Sequence, residues 1–86
     1  MKFIIISYKT RNSLLTFIKA LRQYGVSADI INTPRSISKS CGLSAKILEN
    51  NLNTAIRVIN QLNFKDFFGI YSIERQGFQE RLQRLY

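Results

Sequence analysis

The 86-residue chain has one cysteine, no histidine, one proline and five acidic residues. A single Cys41 excludes an intramolecular disulfide framework and a multi-cysteine metal knuckle. Without histidine there is no Ser-His or Cys-His nucleophile pair, and most zinc chemistry is gone with it. The four glycines stand apart at 25, 42, 69 and 77, so no glycine-rich phosphate loop exists. No two carboxylates are spaced for acid–base work; the nearest pair, Glu74 and Glu80, lies at a strand end and in a tail. The longest apolar run, Phe3–Ile6, falls far short of a membrane span or a signal-peptide core. A cytoplasmic protein with no membrane partner, no cofactor and no metal is expected.

What the chain does have is positive charge. Thirteen Lys and Arg against five Asp and Glu give a formal +8. Residues 1–43 hold seven bases and one acid, and residues 44–86 hold six bases and four acids. The excess therefore lies in the first half, although it is dispersed singly rather than in runs. Dispersed basic residues usually form a solvated face. A hydrophobic fraction of 45% over this length suits one small domain with one shared core.

The apolar pattern predicts a βαββαβ order. Phe3–Ile6 lacks polar alternation, as a central strand covered on both sides does. Leu14, Phe17, Ile18, Leu21 and Tyr24 share a helical face that Gly25 ends. Val26–Thr33 returns to strand character until Pro34 breaks it. Thr33–Gly42 reads as a Ser-rich loop or one helical turn, and Leu43–Leu48 alternates as a third strand. A second helix follows, capped by Asn50 or Asn51, with Leu52, Ala55, Ile56, Ile59 and Leu62 as its stripe. Phe67–Glu74 forms the fourth strand. The expected fold class is α+β: a ferredoxin-like sandwich with two helices on one face of a four-stranded antiparallel sheet. Its other face would expose Phe68 and Ile70. Residues 1–74 form this domain. Residues 75–86 are expected as an amphipathic helical tail presenting Phe78, Leu82 and Leu85, with an i,i+4 pair between Glu80 and Arg84.

Cys41 is the one candidate nucleophile. Arg35, Lys39 and Lys46 are its cationic sequence neighbours, and no acid lies between Asp29 and Glu49. A positive field favours thiolate, the reactive form. Gly42 leaves a neighbouring position without a side chain, and Ser36, Ser38 and Ser40 add hydroxyls for a bound anion. Two considerations oppose activation. If residues 34–41 are helical, Cys41 sits at the negative end of that helix, and a lone cysteine beside a strand is commonly a small buried hydrophobe.

The stretch TPRSISKSCGLSAKI resembles the signature of a small bacterial family described as "Putative Se/S carrier protein-like". Thr33, Pro34, Arg35, Ser40, Cys41, Gly42 and Leu43 match its motif, and the resemblance covers about residues 2–74. Lys39 stands where a small hydroxyl residue is common, and Ser44 where Ala or Gly is common. The resemblance implies a persulfide or selenopersulfide on Cys41, stabilised by Arg35 and Lys39 and exchanged with a sulfur or selenium donor or acceptor protein. The binding residues are then Pro34, Arg35, Ser36, Ser38, Lys39, Ser40 and Gly42. Such a carrier is an accessory protein rather than a stand-alone enzyme.

Two other classes compete. The positive charge on a fold plan shared with RNA-recognition domains suggests weak, non-specific nucleic-acid binding. Yet the third strand, Leu43–Leu48, has no aromatic residue on which a base could stack. A regulatory domain without chemistry is the other, forming a homodimer through its sheet face or its C-terminal tail.

Overall fold

A computed structural model describes residues 2–39 and 42–86. The elements are β1 (Lys2–Tyr8), α1 (Arg11–Gln23), β2 (Asp29–Asn32), β3 (Leu43–Leu48), α2 (Leu52–Leu62), β4 (Phe67–Gln76) and β5 (Gln79–Arg84). All strand pairs are antiparallel, in the order β2-β3-β1-β4-β5. The class is α+β with two helices, but the expected four-stranded ferredoxin-like sheet is corrected to five strands.

β1 lies between β3 and β4, which accounts for its unbroken apolar run. Its side chains alternate. Ile4, Ile6 and Tyr8 meet Leu14, Phe17, Ile18 and Leu21 of α1 and Ala55, Val58 and Ile59 of α2 in the main core. Each large side chain buried there contributes roughly 1.5–3 kcal/mol. Ile5 faces the other side, with Tyr71 and Ile73. The α2 stripe also includes Val58, which the sequence pattern passed over.

Thr10 caps α1, its hydroxyl oxygen accepting the Ser13 amide at 3.3 Å. Tyr24 follows the last turn, so it leaves the expected buried face. It is 46% exposed, and its hydroxyl donates to Gln61. A 3-10 turn, Glu49–Asn51, precedes α2, and Asn51 makes no side-chain cap.

The expected C-terminal helix is a strand. Gly77, at φ +58°, begins a two-residue turn with Phe78, and Gly at this position suits a tight hairpin. Leu82 then pairs with Ile73, and Glu80 with Arg75. Glu80 makes its ion pair across the hairpin to Arg75 at 2.9 Å, so the predicted helical pairing with Arg84 is not formed. A register shift near Tyr8 also redistributes the start of β4. Ile70 is buried in the main core, against expectation, while half-buried Phe68 packs with the Ile5 cluster. Gly69 lets the Tyr71 ring lie over the backbone, since a Cβ there would come within 3.0 Å of the hydroxyl.

Candidate functional site

The loop joining β2 to β3 is held at its base. The Thr33 amide donates to the Gly42 carbonyl at 3.1 Å, which brings the two ends of the Thr-Pro-Arg…Cys-Gly segment together. Pro34 starts a tight turn: its carbonyl accepts the Ile37 amide at 2.9 Å and the Ser38 amide at 3.2 Å. The segment is thus a turn rather than a helix over Arg35–Ile37. Ile37 tethers it by packing, half-buried, against the Ile5, Tyr71 and Ile73 cluster.

Beneath this base run three buried hydroxyls. Thr33 Oγ1 lies 2.6 Å from Ser44 Oγ, which lies 2.7 Å from Ser7 Oγ. The strand register explains the contact between the serines, because Ser7 pairs with Ser44. A hydroxyl both donates and accepts, so Ser44 can satisfy both neighbours without water. Alternation along β3 puts Ser44 opposite the Ala45 side of the strand, but only the tertiary pairing shows that it is fully buried.

The outer part of the loop is solvent-facing. Arg35, Ser36, Lys39 and Gly42 are exposed, and Pro34 and Ser38 are half-buried. Ser40 and Cys41 lie outside the described residues. Lys46 does not join Arg35 and Lys39; its ammonium rests 3.9 Å from the Phe3 ring centroid.

A cavity of about 290 Å³ lies beside Gly42, lined by Tyr8, Lys9, Thr10, Arg11 and Leu43. It sets the start of α1 next to the residue that follows Cys41. Among the described residues that line it, two are cationic and none is a carboxylate. Lys9, Thr10 and Arg11 were not identified from sequence, since more than 30 residues separate them from Gly42. Asp66 lies behind Thr10, accepting its amide at 3.0 Å and its hydroxyl at 2.6 Å. Burial pushes the Asp66 carboxyl up, but bonds from the Thr10 and Ser13 hydroxyls and the backbone outweigh it. The carboxyl is held below its ordinary value. The Tyr8 hydroxyl is pushed well above its ordinary value, by burial first and then by the Asp66 charge. It makes no hydrogen bond among the described residues. The Tyr8 ring lies among Phe17, Phe64 and Phe67.

Among the described residues, the loop is pinned at its base and carries the exposed cations Arg35 and Lys39. Residues 3–71 match the family described as "Putative Se/S carrier protein-like", and the chain belongs to that family. No curated protein and no solved structure gives a significant match. Among the described residues, no helix is long and apolar enough to cross a membrane.

Proposed function

We propose that the protein carries sulfur or selenium on Cys41 and delivers it to a partner protein in the cytoplasm. The observation that supports this most is the hydrogen bond from Thr33 to Gly42. It closes the family's motif into a loop whose flank, beside Gly42, carries Lys9 and Arg11, with Asp66 held behind them by Thr10. Residues 1–74 perform the carrier function in this reading.

The transfer balances without an external oxidant. The Cys41 thiolate attacks the terminal sulfur of a persulfide on the donor protein. The donor's S–S bond breaks, and its cysteine leaves as thiolate. Cys41 then bears the S–S⁻ group, and the same exchange with an acceptor thiolate unloads it. Arg35 and Lys39, both exposed, supply positive charge to the terminal anion and to an acidic donor surface. No general base is needed, so the lack of histidine is no obstacle.

Incubation with a cysteine desulfurase and cysteine should add about 32 Da, one sulfur atom, to the intact mass, and a reductant should remove it. Cys41→Ser should gain nothing. An adduct on Cys41→Ser, or none on the wild type, would overturn the proposal.

A further inference from the structure

β5 is the edge of the sheet, paired to β4 on one side only. The Leu85 amide donates to the Ile70 carbonyl at 2.8 Å. Antiparallel ladders bond alternate residues, so Gln83 and Arg81 turn their peptide groups toward Ser72 and Glu74. The N–H and C=O groups of Glu80, Leu82 and Arg84 consequently point away from the sheet, a template for another strand. The opposite edge, β2, is only four residues long.

The order of side chains along β5 selects its occupant. Laid antiparallel with Leu82 facing its own counterpart, a second copy brings its Arg84 opposite Glu80 and its Glu80 opposite Arg84. Phe78, fully exposed at 109%, then stands opposite Tyr86 of that copy, itself 61% exposed. The neighbouring register is worse: moving the axis to Arg81 sets that residue opposite itself and Glu80 opposite Leu82. Glu80 uses one oxygen on Arg75, and Arg84 uses two of its five N–H donors on the Tyr86 and Phe68 carbonyls.

We propose that two copies pair β5 to β5 about a two-fold axis at Leu82, forming one continuous ten-stranded sheet. Leu82 shares a face with Ile73, so the helix-free faces of both copies lie on the same side. The strands that begin and end the Thr33–Gly42 loop, β2 and β3, lie on the other side of β1 from the paired edge. This association is independent of any chemistry at Cys41.

Sedimentation equilibrium of the full chain over a concentration series tests it. The mass should rise toward twice the 10.0 kDa of one chain. Glu80→Arg and Arg84→Glu should each weaken association about tenfold, since each sets two like-charged pairs across the axis. The double variant should restore it, a rescue that damage to a single chain would not give. Circular dichroism should show all three variants folded. A wild-type chain that stays monomeric, a dimer indifferent to both single variants, or a double variant no better than the singles would overturn the proposal.

Discussion

On one side of the sheet, Ile4, Ile6 and Tyr8 meet two helices, and the large side chains of this core are almost entirely excluded from water. On the other side the same strand presents Ile5 and Ser7 to a thinner layer made of Tyr71, Ile73, Ile37 and the Thr33–Ser44–Ser7 hydroxyls. The first side is held by apolar area, which is non-directional and tolerant of small shifts. The second is held by a few hydrogen bonds with fixed partners, which specify where the loop base sits. The difference separates the part of the molecule that supplies stability from the part that positions the cysteine-bearing loop.

The largest expected effect removes a pillar of the first side. Phe17→Ala, at a fully buried position, should cost about 3–5 kcal/mol in chemical denaturation, close to the whole stability of many small domains. A loss below about 1 kcal/mol would show that the helix face is not the main source of stability. Ser44→Ala should cost roughly 1–3 kcal/mol, because it leaves the buried Thr33 and Ser7 hydroxyls each without a partner. It should also slow alkylation of Cys41 toward the rate of the unfolded chain by loosening the loop base; unchanged stability and rate would break the comparison.

Smaller again is Thr10→Ala, which removes the α1 cap and a bond to Asp66, and should cost about 1 kcal/mol. Asp66 adds a pH signature. Its carboxyl is lower in the folded state, so its contribution is complete above the unfolded value of about 4 and is lost as acid protonates the folded group. Asp66→Asn should therefore narrow the stability difference between neutral and acidic solution, read from denaturation midpoints. An unchanged difference would remove Asp66 from the account. Ile37→Ala should have the least effect on stability, about 1 kcal/mol or less for a half-buried anchor, while still loosening the loop against proteases.

How far the sequence revealed this depends on how local each feature is. The α1 stripe through Leu14, Phe17, Ile18 and Leu21 is a periodic signal within one segment, and the structure buries all four. Leu43–Leu48 likewise coincides with β3, and Pro34 with the start of the turn. The tail misled because Phe78, Leu82 and Leu85 fit a helical period across very few residues. Pairing of Leu82 with Ile73 and the turn at Gly77 decide for strand, and the first of these is tertiary. The motif around Cys41 was legible as a motif. Its supports, Ser7 and Ser44 below and Lys9 to Arg11 beside Gly42, come together only through strand register and were not.

The most direct measurement of the central claim is the rate of Cys41 alkylation at neutral pH in the folded chain against the same chain in denaturant. A thiol held on an open, cation-rich loop should react faster in the folded protein than in the unfolded one. Protection of Cys41 by folding, with a rate well below that of the unfolded chain, would make it a buried apolar side chain and contradict the account.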